Sequence, residues 1–97
     1  MEKTFKEKVY ELVNSIPDGH VLSYGTVAAL CGKPGNARQI GRLMTESPED
    51  VRSYRVVHGD GGTCAGWDEQ RTLLIADGVT FKPNGKVDIK KHLWKIT

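Results

Sequence analysis

The sequence predicts a mainly α fold with small β elements, built around a helix-turn-helix, and three observations predict it. Phe5, Val9, Leu12, Val13 and Ile16 recur at helical spacing on one face. Two short helical segments follow, broken by Gly32-Lys33-Pro34-Gly35. The β-favouring runs are all short: Val21-Leu22, Tyr54-Arg55-Val56-Val57 and two near the C-terminal end. A length of 97 residues suits one modest core, so a single domain over 1–97 is expected.

The first helix should run to about Ile16, with Lys and Glu on its outer face, and Pro17-Asp18-Gly19 should stop it. Val21-Leu22 is then extended. Ser23 is a good N-cap for a second helix from Tyr24 to Cys31, whose inward face would carry Val27, Ala28, Leu30 and Cys31. Asn36 is suited to cap a third helix, Ala37 to about Thr45, burying Ile40, Leu43 and Met44 and leaving Arg38, Gln39 and Arg42 outside. Two short helices joined by a tight, Gly-containing turn carry the helix-turn-helix signature.

After the acidic loop Glu46-Ser47-Pro48-Glu49-Asp50, Tyr54–Val57 reads as a short buried strand and His58-Gly59-Asp60-Gly61-Gly62 as a mobile turn. Asp68 would cap a fourth helix ending near Asp77, with Gly78 as a left-handed terminator. Val79-Thr80-Phe81 and Val87-Asp88-Ile89 flank Pro83-Asn84-Gly85 as a hairpin, and Trp94 is a late aromatic anchor.

No apolar run approaches the roughly 20 residues of a membrane span, and Met1–Lys6 enters a charged amphipathic pattern without a secretion signal, so a cytoplasmic protein is expected. Cys31 and Cys64 are too few for a disulfide framework and lack C-x-x-C spacing, while His20, His58 and His92 form no H-x-x-x-H pair. Reduced thiols, no metal and no cofactor are therefore expected. A net charge of +2 does not by itself announce nucleic acid. The distribution is uneven: acid gathers at Glu46, Glu49 and Asp50, and Lys82, Lys86, Lys90, Lys91 and Lys95 make the tail basic.

Three blocks carry a resemblance. Val21-Leu22-Ser23-Tyr24-Gly25, Asn36-Ala37-Arg38-Gln39-Ile40-Gly41 and Tyr54-Arg55-Val56-Val57, in this order and spacing, resemble the DNA-binding domain of O6-alkylguanine-DNA alkyltransferases, and most of all the alkyltransferase-like branch. The similarity covers essentially the whole chain and implies a winged-helix-like domain that docks its third helix in the minor groove. In the family the alkyl acceptor lies in Pro-Cys-His-Arg-Val-Val; here that register reads Arg52-Ser53-Tyr54-Arg55-Val56-Val57. Ser53 stands at the cysteine and Tyr54 at its neighbouring histidine, and a serine without a base is a far weaker nucleophile than a thiolate. The resemblance therefore implies a protein that binds O6-alkylguanine in duplex DNA, flips the nucleotide out and marks it for nucleotide excision repair without transferring the alkyl group. Its partners would be lesion DNA and excision-repair proteins, and the chain would act as a monomer.

Residue by residue, Arg38 matches the arginine finger that fills the space of the extruded nucleotide, and Tyr24 the tyrosine that helps rotate it outward. Ala37 and Gly41 are small enough for a helix pressed into a minor groove, and Asn36, Gln39 and Arg42 complete the DNA-facing set. The lesion pocket would be formed by Tyr24, Arg38, Ser53, Tyr54, Arg55, Cys64 and Trp67, with Arg55 also ordering the loop by hydrogen bonding. The family's supporting Asn, His and Glu correspond most nearly to Ser47, Tyr54 and Asp77, and Arg71 is the nearest arginine to the position that reads the lesion's O6 edge. Two alternatives stand beside this reading: an enzyme that uses Cys64 as a displaced acceptor or Ser53 as a hydrolytic nucleophile, and a helix-turn-helix regulator of undamaged DNA.

Overall fold

In the computed structural model, which describes residues 2–96, Thr4 opens the first helix, α1 (Phe5–Ser15). Its hydroxyl accepts from the Glu7 backbone N–H, and the Glu7 carboxylate accepts in return from the Thr4 N–H, which satisfies two donors that a helix start leaves free. Val9 and Val13 lie on the face that α1 buries, and the Tyr10 hydroxyl donates to the Leu43 carbonyl at 3.1 Å. Asn14, on the outer side, holds both ends of the turn before Ser53: it donates to Asp50 O and accepts from Arg52 N–H.

A two-residue strand, β1 (Leu22–Ser23), leads directly into α2 (Tyr24–Leu30), because the Ser23 hydroxyl accepts from Thr26 N–H and caps the helix. α3 (Ala37–Thr45) follows after the glycine-containing turn and packs against α2, giving the expected helix-turn-helix. Ile40, Leu43 and Met44 are buried as expected. Leu30 is not: it is 50% exposed. Tyr24, Val27, Ala28 and Cys31 share the inner face, and at 3.6 residues per turn Leu30 falls about 110° away from its centre. Asn36 occupies the N-cap position of α3 without capping it; its side-chain amide donates instead to Gln39 Oε1 at 2.6 Å.

The strand expected over Tyr54–Val57 is half that length. Ser53–Arg55 form a 3₁₀ turn and only Val56–Val57 extend as β2, parallel to β1 with Leu22 opposite Val56 and Ser23 opposite Val57. The ladder cannot lengthen, because β1 must end where Ser23 caps α2 and the 3₁₀ turn swings Arg55 inward. The alternation of the pleat assigns the two layers of core: Leu22 and Val56 join the α1–α3 cluster, while Val21 and Val57 join a second cluster with Leu74, Val79 and Val87.

α4 (Glu69–Ala76) closes that second layer, ending at Gly78, which takes the left-handed conformation (φ +93°) expected of a terminator. Asp68 holds its N-cap position without a capping bond. The expected hairpin is reduced to a tight turn and one bridge, Phe81 to Val87, because Ile89 begins a short helix, α5 (Ile89–His92). The His92 ring joins Gly19 O to Thr80, and Trp94 packs against the first cluster.

The turn His58–Gly62, read from sequence as mobile, is tied down. Its ends are joined by His58 N–H to Gly62 O, Val87 N–H donates to Gly61 O, and Lys86 pairs with Asp60. Gly61 has φ +92°, and a Cβ there would lie 2.5 Å from Val87 O, so only glycine fits.

Candidate nucleic-acid interface

Ala37, Gly41 and Thr45 recur every fourth residue on α3 and so lie on one line of the helix, where small side chains leave its backbone open. That line forms one wall of a cavity of ≈ 550 Å³. Tyr24 and Gly25 from the start of α2, and His58 and Gly59 from the pinned turn, form the facing wall, with Cys64 and Trp67 at one end. Arg38 lines the cavity from α3, is exposed, and makes no ion pair among the described residues. Its lining carries a guanidinium and an imidazole but no carboxylate, which suits an anionic backbone.

Tyr24 is half-buried, with its ring centroid 5.1 Å from that of His58 at a tilt of 56°. Burial, and then the adjacent Cys64, push the phenol's pKa up, which keeps Tyr24 a neutral hydrogen-bond donor across the neutral range.

A second cavity of ≈ 700 Å³ adjoins the first, sharing Met44, Thr45, Cys64 and Trp67. Ser53 and Tyr54 line this cavity and not the first. Ser53 sits at the start of the 3₁₀ turn, held from below by the Asn14 clamp on Arg52. Glu49, Arg52, Glu69 and Leu73 complete much of the wall.

Arg55 lines neither cavity, which corrects its expected place around a lesion. Its side chain is 3% exposed and faces the interior. There Nε and Nη2 donate to the two Asp77 oxygens at 2.9 and 2.8 Å, Nη1 donates to Ile16 O, and Nη2 also reaches Asp18. Burial alone would lower the guanidinium pKa, but the bonds to Asp77 and Asp18 outweigh it and raise it. Asp77 is committed to this network and also accepts from Gly19 N–H. Arg71 likewise points elsewhere: its guanidinium lies 4.2 Å from the centre of the Phe81 ring and bonds to Gly85 O.

The structure thus brings Tyr24, Ala37, Arg38 and Gly41 together in one cavity and Ser53 and Tyr54 in the next, with Cys64 and Trp67 between them. Asn36, Gln39 and Arg42 line neither; Asn36 and Gln39 bond to each other, and Arg42 is exposed beyond the helix line. Sequence reasoning missed His58, Met44 and Thr45 in the first cavity, and Glu49 and Leu73 in the second. It also missed Gln70, which is fully buried: its amide donates to Tyr54 O and Val56 O, and its oxygen accepts from Cys64 N–H at 2.6 Å. This one side chain fixes the border between the two cavities.

The DNA-binding domain of 6-O-methylguanine DNA methyltransferase matches residues 4–79. The chain belongs to that family. It is 36% identical to the DNA base-flipping protein of Escherichia coli over 98 residues, covering 96% of this chain and 76% of the relative. It is 33% identical to alkyltransferase-like protein 1 of Schizosaccharomyces pombe, covering 94% of each. The crystal structure of S. pombe Atl1 in complex with damaged DNA containing O6-carboxymethylguanine superposes with a TM-score of 0.84 at 30% identity, over 98% of this chain and 100% of that one. The family's helix-turn-helix is therefore the α2–α3 pair, and the first cavity runs along the exposed line of its second helix.

Proposed function

We propose that this protein binds duplex DNA containing O6-alkylguanine, holds the modified nucleotide outside the helix, and leaves the alkyl group in place. The observation that carries the last clause is the chemistry around Ser53. Among the described residues, the side chains of acid–base type that line its cavity are Glu49, Glu69, Arg52, Tyr54 and Cys64, with no imidazole. Asp77, at the position of the family's glutamate, gives both oxygens to Arg55. Neither Glu49 nor Glu69 bonds the Ser53 hydroxyl among the described residues, and with no imidazole between them nothing is placed to relay its proton and make it a nucleophile.

In this reading α3 enters the minor groove along the Ala37–Gly41–Thr45 line, Arg38 takes the place of the extruded nucleotide, and Tyr24 meets the rotated phosphate. Asn36, Gln39 and Arg42 contact the flanking backbone. The base passes Cys64 and Trp67 to lodge in the second cavity beside Ser53 and Tyr54. A lesion that is held and not repaired requires a second activity to remove it, so the complex acts as a mark for nucleotide excision repair, with the protein bound as a monomer. Titration of an O6-methylguanine duplex against its guanine counterpart at fixed salt tests the binding, with preference for the lesion expected. Mass spectrometry of the protein after incubation tests the chemistry: an added methyl mass overturns the non-transferring reading, and peptide mapping then shows whether Cys64, present in both cavities, has taken the group.

A further inference from the structure

The second cavity combines an apolar interior with an acidic edge. Met44, Val51, Pro48, Ala65, Trp67 and Leu73 contribute carbon surface, and Leu73 is a large apolar side chain left 36% exposed on α4 at this wall. Uncovered apolar surface inside a concavity is what a hydrophobic ligand group would cover. The charged residues on the same wall are Glu49, Glu69 and Arg52, two negative against one positive, and none forms an ion pair among the described residues. The first cavity has the opposite character, with Arg38 and His58 and no carboxylate.

We infer that Glu49 and Glu69 set the protein's selectivity among O6-adducts, favouring neutral apolar and cationic substituents and disfavouring anionic ones. The inference rests on the lesion-binding reading above. The first cavity takes phosphate and so needs positive charge; the substituent on O6 extends into the second, where a carboxylate would face two of its own kind. At about 7 Å, and with an effective dielectric of about 40 to 80 for carboxylates this open to water, each like-charge pair lowers affinity by about threefold to sevenfold, and Arg52 offsets one of the two. An ammonium group gains by the same argument, and an aryl or alkyl group covers Leu73 and Trp67.

The test is a competition among short duplexes identical except for one base: guanine, O6-methylguanine, O6-benzylguanine, O6-(4-aminobutyl)guanine and O6-carboxymethylguanine. Each is titrated with wild-type protein and with the Glu49→Gln/Glu69→Gln variant at two salt concentrations. We expect the benzyl and aminobutyl duplexes to bind at least as tightly as the methyl duplex, and the carboxymethyl duplex about threefold or more weakly. The carboxymethyl-to-methyl ratio should move toward one in the variant and at higher salt. A clear lesion preference with carboxymethyl bound as well as methyl, or a carboxymethyl penalty that survives both substitutions, overturns the charge selectivity and leaves the lesion reading standing. Equal binding of guanine and every adduct overturns the lesion reading and this inference with it.

Discussion

Replacing Asp77 with asparagine is expected to cost far more than the same change at Asp18, although both carboxylates bond the same guanidinium. Arg55 is 3% exposed and Asp77 8%, whereas Asp18 is 89% exposed. Asparagine keeps the shape of Asp77 but turns one acceptor into a donor facing Arg55, removes the charge, and weakens the bond from Gly19 N–H. Breaking a buried ion pair from one side leaves an uncompensated charge and costs about 3–5 kcal/mol, against about 0–1 kcal/mol for an exposed partner. At this chain length a 3 kcal/mol loss corresponds to a fall in Tm of about 12 °C or more. Urea unfolding of wild type, Asp77→Asn and Asp18→Asn, analysed with a shared m-value, measures both. Removing both charges with Arg55→Met/Asp77→Leu should recover part of the loss. If Asp77→Asn and Asp18→Asn prove equally mild, Arg55 does not anchor the 3₁₀ turn to α4, and the reading of Asp77 as a structural group falls.

Arg38→Ala should weaken binding to an O6-methylguanine duplex by about 1–3 kcal/mol, since the gap left by the flipped nucleotide loses its occupant; unchanged affinity in a folded variant removes Arg38 from that role. His58→Ala takes away the ring beside Tyr24 and should weaken lesion binding by about 0.5–1.5 kcal/mol. Because His58 is exposed, the variant's unfolding free energy from urea should stay within about 0.5 kcal/mol of wild type, and equal binding in the two proteins would show that the Tyr24 ring needs no support. Ser53→Cys alone should transfer a methyl group slowly in single-turnover assays, and adding Tyr54→His should raise the rate beyond either single change; rapid transfer by the first variant contradicts the missing-relay argument. The hydrogen bond from Lys86, with that from Gly62 N–H, holds the Asp60 carboxyl below its usual value, so its stabilisation is present above the ordinary carboxylate pKa of about 3.9 and lost as pH falls through the lower folded value. Asp60→Asn should flatten that part of the acid unfolding curve, and an identical curve would show that the pair contributes nothing.

α1 and α3 were legible because each buries a face at regular spacing, α1 through Val9 and Val13, α3 through Ile40, Leu43 and Met44; α5, which buries no residue, offered no such pattern and was read as hairpin strand. Leu30 shows where pattern reading stops, since its hydrophobicity suggested an inward place that seven residues of helix geometry deny it. Tyr54–Val57 and the C-terminal hairpin were drawn too long, because the lengths of β elements depend on neighbours a local pattern does not contain. Arg55 shortens β2 by reaching Asp77, 22 residues away, and Ile89 leaves the hairpin to start α5. Gln70 was invisible for a similar reason: on a helix it reads as a surface residue, and its burial becomes favourable only once the carbonyls of Tyr54 and Val56 arrive as acceptors.

The candidate site was legible as a set of residues but not as two chambers. Tyr24, Arg38, Ser53, Tyr54, Cys64 and Trp67 are all cavity residues, yet nothing in their spacing tells that Gln70, by gripping Cys64 N–H, sets the loop of Cys64 and Trp67 between Arg38 on one side and Ser53 on the other. Arg55 was grouped with them because it follows Tyr54, although adjacent residues on a 3₁₀ turn point in different directions and one of them must face inward. That inward turn bears on the chemistry. A relay that activated a nucleophile at position 53 would need a carboxylate free to accept a proton or orient a base, and Asp77 is the buried carboxylate beside this turn. Both of its oxygens hold the Arg55 guanidinium, and one also holds Gly19. Withdrawing Asp77 from this pair would take the buried partner from a buried cation at about 3–5 kcal/mol, a large share of the stability of a chain this short. The rigidity that presents Ser53 to its cavity and the commitment of Asp77 away from any relay therefore have a common physical origin in the Arg55–Asp77 pair.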